Sequence, residues 1–513
     1  MPPKPARPPA RDARGRFAAN GKATPAGFEG WLNRLRRFLW SGVVLGGVAL
    51  VGAAASDVVK DALKGRFGTF ATGQRACAVQ EWWARNFGAR PPVDPGRFRV
   101  LVARLHDDDG GKLSRQVARA FTGERGFSVV TTCRTLDLDG EDLTAASIAA
   151  ERRAEELRTG RGADLIVWGQ VADFGSGAVR LWFSAASVRP NMARAPWKIE
   201  QGALGGDFQK EFALAIQTMA LAAVPSATEA QGRAVAALLR PRLPPLRTLV
   251  AHPPAGLSNA DRSALRWTYA DALQTFGDQA RDDAALREAV EHYSELLNEQ
   301  PRERTPFAWA AAQNNLGAAL QTLGERGRDE GALRRAVAAY EAALQERTRE
   351  RAPLDWAATQ NNLGTALRVL GANGDDGALR PAVAAFEAAL GEYTRERAPL
   401  AWAAAQNNLG NALLILGAHG DEGALRRAVV AHEAALQERT RERAPLLWAH
   451  TMWNIALAEY AWGETAGDRT RFRAALTACE AALEEYRRAN AASDIEQATR
   501  FRDHLASKLR SVP

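Results

Sequence analysis

From Asp261 onward, apolar and polar positions alternate with a helical period, and the whole pattern repeats in blocks. Trp309, Trp356, Trp402 and Trp448 stand 47, 46 and 46 residues apart, and Pro306, Pro353, Pro399 and Pro445 keep the same spacing. Gln313-Asn-Asn-Leu-Gly317 returns as Gln360–Gly364 and Gln406–Gly410, and Thr348-Arg-Glu-Arg-Ala-Pro353 returns as Thr394–Pro399 and Thr440–Pro445. At ~100° per residue, Trp309, Gln313, Leu316, Leu320 and Leu323 gather within about 40° of one direction. Each helix pair therefore leaves an apolar face bare until the next pair stacks on it. The pattern predicts an all-α solenoid of five helix pairs over 259–490, closed by a terminal helix in 491–513.

Upstream the rhythm changes to short apolar runs separated by amphipathic ones. Phe98–Leu105, Phe127–Cys133, Asp164–Val171 and Val179–Phe183 read as strands, the last two joined as a hairpin through Gly175-Ser-Gly177. Lys112–Glu124 and Leu143–Leu157 read as helices, and Phe208, Phe212, Ile216 and Met219 line another. The order βαβαββα predicts a small α/β sandwich-type domain over 97–240, bounded by a linker at 56–96 and a Pro-rich hinge at 241–258.

Residues 38–55 contain no charge, and eighteen helical residues at ~1.5 Å each give about 27 Å, enough to cross a bilayer core. A single amino-terminal transmembrane helix is the expectation, although a cleaved signal peptide or a buried core helix has the same apolar pattern. The net charge is +8, and residues 1–37 hold nine Lys or Arg against Asp12 and Glu29. That tail reads as disordered. Little positive charge is left for the body, which argues against nucleic acid as a partner. Arg34, Arg36 and Arg37 before the apolar run favour a cytoplasmic amino terminus and an exported, periplasmic body, with a cytoplasmic body as the alternative. Cys77, Cys133 and Cys479 are too sparse for a disulfide scaffold or a zinc ribbon.

The repeated unit resembles the tetratricopeptide repeat, in the long-period form of the kinesin light chain class. Gln313-x2-Leu316-Gly317-x2-Leu320 and Ala336-x3-Tyr340 follow the pattern, and Ala382-x3-Phe386 and Ala428-x3-His432 repeat it. The standard unit has ~34 residues, so about 12 more must be housed in each repeat, in the turn 324–331 and in a longer second helix. The first unit, Tyr269–Leu297, lacks the Trp, and the fifth carries Glu459 where the others have Leu, as capping units do. Residues 97–224, with Ala163-Asp164-Leu165-Ile166-Val167-Trp168-Gly169, resemble the small domain of FlgO-like and TolB amino-terminal-like envelope proteins. That resemblance implies a binding module without catalysis.

In tetratricopeptide arrays the first helix of each pair lines the concave groove. On this helix the sequence places Asn314, Asn315, Ala318 and Thr322, then Asn361, Asn362, Thr365 and Val369, then Asn407, Asn408, Asn411 and Ile415. An amide both donates and accepts, so these residues suit the backbone of an extended peptide, or else bond to one another and stiffen the solenoid. Replacing Asn315, Asn362 and Asn408 by alanine separates the two readings, because only structural amides lower the melting temperature. His106, Asp107, Asp108 and Asp109 follow the first strand and offer a divalent-cation or ligand site. The competing role is a helix cap, which the missing second acidic cluster favours. No nucleotide-binding, zinc-protease or nucleophile-elbow motif occurs, and no cofactor is expected. The sequence thus predicts a membrane-anchored, non-enzymatic adaptor that binds a protein or peptide in its repeat groove. The alternative is a sensor whose α/β domain binds a small ligand or metal and signals through the repeats.

Overall fold

The computed structural model describes residues 97–511 apart from 109–110, 125, 137–149, 151–152, 155, 159, 172–178, 186–196, 200–207, 224–228 and 255–256. All of them belong to one unit, Ala84–Pro513. Five strands, β1 (Phe98–Val102), β2 (Phe127–Thr131), β3 (Leu165–Val171), β4 (Val179–Ala185) and β5 (Trp197–Ile199), form one sheet in the order β2-β1-β3-β4-β5. β1 runs parallel to β2 and β3, with Val100 opposite Val129 and Leu165. β3 and β4 pair antiparallel, Leu165 facing Ala185 across the predicted hairpin. The short β5 had no legible alternation in the sequence.

Side chains two residues apart share a sheet face. Val100, Val102, Leu165 and Val167 pack on Val117 and Phe121 of α1 (Lys112–Phe121) and on Ile216 and Leu221 of α2 (Phe208–Ala223). Leu101, Ala103, Ile166 and Trp168 face the other way, against Ala150 and Ala154. The sheet is thus covered on both faces by other parts of the chain, and no second sheet occurs among the described residues.

The segment read as a hinge contains a helix. α3 (Glu229–Leu239) is followed by α4 (Leu243–Ala251), with Pro244 and Pro245 in its first turn. First-turn N–H groups have no helical partner in any case, so prolines cost nothing there. Leu246 and Leu249 of α4 are buried in the same core as the sheet, and that core continues into Leu265, Trp267, Phe276 and Tyr293 of the first repeat. Arg242 fastens the junction, bonding Gln217 (3.2 Å) and the carbonyl of Leu238 (2.7 Å) while lying over the Phe127 ring.

These findings correct the fold class in two respects. The described chain is mostly helical, and its small sheet shares a core with the repeats instead of forming a separate sandwich-type domain. The transmembrane helix expected at 38–55 lies outside the described residues, and no described helix is long and apolar enough to cross a membrane.

The carboxy-terminal half is a tetratricopeptide-like solenoid of five helix pairs. They are α5 (Asn259–Ala280) with α6 (Asp283–Glu299), α7 (Pro306–Gly327) with α8 (Glu330–Leu344), α9 (Pro353–Ala372) with α10 (Leu379–Leu390), α11 (Pro399–Ala418) with α12 (Glu422–Leu436), and α13 (Pro445–Ala466) with α14 (Arg469–Arg488). α15 (Ala492–Ser511) buries Ala498 and Leu505 on the last pair. Proline opens α7, α9, α11 and α13, and Asp282, Asp329 and Asp421 cap the second helices by accepting from the N–H three residues on. The extra residues are not where the sequence placed them. α7 runs to Gly327 and α8 stops at Leu344, so the surplus lengthens the first helix and fills the loop 345–352. A left-handed Arg328 (φ 50°) ends α7 abruptly, which lets the turn shrink to two residues.

Candidate functional site

The repeated glycines set how closely the two helices of a pair approach. A Cβ on Gly317 would lie 2.8 Å from the Tyr340 ring, and one on Gly364 would lie 2.9 Å from Phe386. In the fourth pair the same slot holds His432, fully buried against Gly410, and neither ring nitrogen has a hydrogen-bond partner. Burial, with Arg439 nearby, lowers its pKa to about 3. It is a packed ring in an aromatic slot.

Neighbouring pairs are joined by buried and half-buried amides. Asn362 Nδ2 donates to Asn314 Oδ1, Asn408 Nδ2 to Asn361 Oδ1 and Asn454 Nδ2 to Asn407 Oδ1, each at 3.1 Å. Asn315 extends the row toward the amino terminus, donating to Asp271 Oδ1 at 3.2 Å. Thr359 and Thr451 place hydroxyls 3.2 and 3.3 Å from Asn314 and Asn407, and each hydroxyl accepts from an arginine, the buried Arg347 or the half-buried Arg439. In the intervening repeat the corresponding residues are Tyr393 and Ala405, so the polar pair is lost from both sides together.

Of the nine residues proposed for the groove, Asn314, Asn315, Asn361, Asn362 and Asn407 are buried. Thr322, Thr365, Asn408 and Asn411 remain partly exposed, as do Ala318, Val369 and Ile415. Thr322 and Thr365 donate back to the carbonyls of Ala318 and Asn361, which leaves lone pairs toward solvent. The sequence pattern identified the amides but did not separate the inward from the half-exposed ones. It missed Asn454, although that residue falls 47 positions after Asn407.

A second row explains the recurring Thr-Arg-Glu-Arg-Ala-Pro. Glu346, Glu392 and Glu438 each take two arginines, one from their own loop (Arg351, Arg397, Arg443) and one from the loop before (Arg302, Arg349, Arg395). Bonds from Arg302 and Arg351 hold the Glu346 carboxyl below its usual range. For Glu392 and Glu438 burial pushes upward, but the arginine bonds outweigh it and the net shift is again downward. Groups depressed in the folded state contribute stability above their unfolded pKa and lose it as pH falls through the folded value. Arg302 and Arg349 also lie over Trp309 and Trp356, and Arg441, one repeat beyond Arg395, lies over Trp448, so these half-buried Trp rings are roofed by arginine.

In the acidic loop after β1, Asp108 caps the following helix. Asp108 is buried, and its carboxylate accepts from the backbone N–H of Leu113 (3.1 Å) and Ser114 (2.7 Å) and from the Ser114 hydroxyl (2.5 Å). His106 and Asp107 lie 3.4 Å apart, and Asp109 is outside the described residues. Among the described residues no group of three or more His, Cys, Asp or Glu is placed to hold a metal.

No protein-family model matches the chain, and no curated protein matches it significantly. Solved structures that are similar to it include the crystal structure of BtubC (BKLC) from P. vanneervenii, 21% identical with a TM-score of 0.35, covering 50% of this chain and 91% of that one. Another is a circular tandem repeat protein with novel repeat topology, 16% identical with a TM-score of 0.23, covering 60% and 86% respectively. Both scores are too low to carry weight, and the helical array rests on the pairing seen in this chain itself.

Proposed function

We propose that the chain is a non-enzymatic scaffold whose helical array binds a protein or peptide partner along the face of its first helices. The observation that carries this reading is the amide row. It holds α7, α9, α11 and α13 in one register, so that Ala318, Thr322, Thr365, Val369, Asn411 and Ile415 form a continuous strip of small, half-exposed side chains. A preorganised strip saves a partner the entropy of ordering its receptor. The sheet, fused to the first pair through a common core, offers a second docking surface, as its likeness to FlgO-like and TolB amino-terminal-like domains implies.

The test uses random linear peptides displayed against the full chain. Peptides enriched on the wild type are expected to lose at least about tenfold in affinity on Thr365→Trp or Asn411→Trp, which fill the strip, with the melting temperature nearly unchanged. Enriched peptides that bind both variants as before, or a selection that enriches nothing, contradict the proposal.

A further inference from the structure

Within that strip one side chain has no structural explanation. Arg368 stands on α9 between Thr365 and Val369, at the position that Gln274 and Gln321 occupy in the first two pairs. Those glutamines have a task, because Tyr293 and Tyr340 each place a hydroxyl on the amide oxygen (2.9 and 3.0 Å). In the third pair the aromatic residue is Phe386, which has no hydroxyl, and the facing residue is Arg368. The fourth pair has Leu414 opposite His432, so a cation is not a requirement of the slot.

Arg368 is only partly exposed, and its Nε is sealed from solvent with no hydrogen-bond partner. Burial lowers the guanidinium pKa, and Glu325 on α7 is the one charge that works against this. No ion pair joins the two among the described residues, and the Glu325 carboxylate already accepts from Gln321 at 2.9 Å. At the corresponding positions of the neighbouring first helices the residues are uncharged: Gln321 and Thr322 on α7, and Leu414 and Ile415 on α11. A guanidinium half withdrawn from water, without its own carboxylate, is complementary to an anion brought from outside.

We propose that Arg368 is the anchor for a carboxylate side chain of the partner, an aspartate or glutamate set in an otherwise small or apolar extended segment. The inference rests on the scaffold reading above and specifies the chemistry of what lies on the strip. Thr322, Thr365, Val369 and Ile415 flank the anchor with methyl groups and suit apolar residues on either side of the acid. Glu325 repels acids placed toward α7, so a single acid is expected and an acidic run is not.

The experiment repeats the random-peptide selection on the full chain and on Arg368→Gln. Wild type is expected to enrich peptides with one acidic residue at a fixed position. Changing that acid to its amide should weaken binding to wild type by about tenfold or more, and binding to Arg368→Gln by less than about twofold. Wild-type preference for the acid should also shrink as salt rises. Arg368→Gln is expected to melt no lower than wild type, because no internal bond is lost. If the variant enriches the same acidic position as wild type, or melts far lower, the anchor is refuted while the strip stands. If neither chain enriches any peptide sensitive to Thr365→Trp, the scaffold reading falls and the anchor falls with it.

Discussion

The chain carrying Asn315→Ala, Asn362→Ala and Asn408→Ala is expected to melt well below wild type. Each substitution deletes a donor whose acceptor lies inside an inter-repeat contact: Asp271, Asn314 and Asn361. Asn314 is fully buried and Asn361 nearly so, which leaves their oxygens little access to replacement water. Only the Asn361 oxygen is stranded, at about 1–3 kcal/mol. Asn314 keeps the Thr359 hydroxyl and Asp271 the Tyr293 hydroxyl, so each of those losses is about 0.5–1.5 kcal/mol, and a total of about 2 kcal/mol or more is expected. Thermal and denaturant melting of the triple variant checks it. A melting temperature within a degree or so of wild type would mean that the amide bonds contribute nothing.

His432→Phe is expected to do the opposite, and to do it in a pH-dependent way. Phe386 fills the equivalent slot in the third pair, so the ring fits, and two buried nitrogens without partners are removed. A gain of about 1–2 kcal/mol at neutral pH follows. The pH term has a definite sign. The folded pKa of about 3 lies far below the ordinary 6.5, so between these values the unfolded chain takes up a proton that the folded chain refuses. Wild-type stability from this source is complete above 6.5 and falls as pH drops, by about 1.4 kcal/mol per pH unit once well below 6.5, until about pH 3. The difference between variant and wild type should therefore widen on acidification from pH 7 to pH 5. His292 and His450, also lowered by burial, titrate in both proteins and cancel in the difference. Urea midpoints measured at several pH values decide the matter, and a gap that stays constant with pH would contradict a buried neutral imidazole.

Much of this architecture could be read from periodicity alone. Proline and tryptophan at 46–47-residue spacing marked where each first helix begins, and Gly317 with Tyr340 marked where two helices touch. Direction was harder to read. A helical wheel separates two faces, but a first helix in a stacked array touches its own partner, the preceding pair and the following pair. Asn314 and Asn361 fell on the face opposite Trp309 and yet are buried by the next repeat. The hinge was misjudged for a related reason. Prolines at 244 and 245 look like a break, and only the burial of Leu246 and Leu249 in a core built by distant residues shows that a helix begins there. Arg368 was invisible as a candidate because its oddity lies in what Phe386 lacks, a hydroxyl that only comparison between pairs reveals.

The account depends on neighbouring repeats being locked to each other through paired amides, and a double-mutant cycle on Asn361 and Asn408 measures that directly. The predicted result is a coupling of about 1 kcal/mol, the double variant losing less than the sum of the two single ones, because either change alone already breaks the 3.1 Å bond. Strictly additive losses would contradict it, since they would mean that α9 and α11 pack side by side without that bond holding them in register.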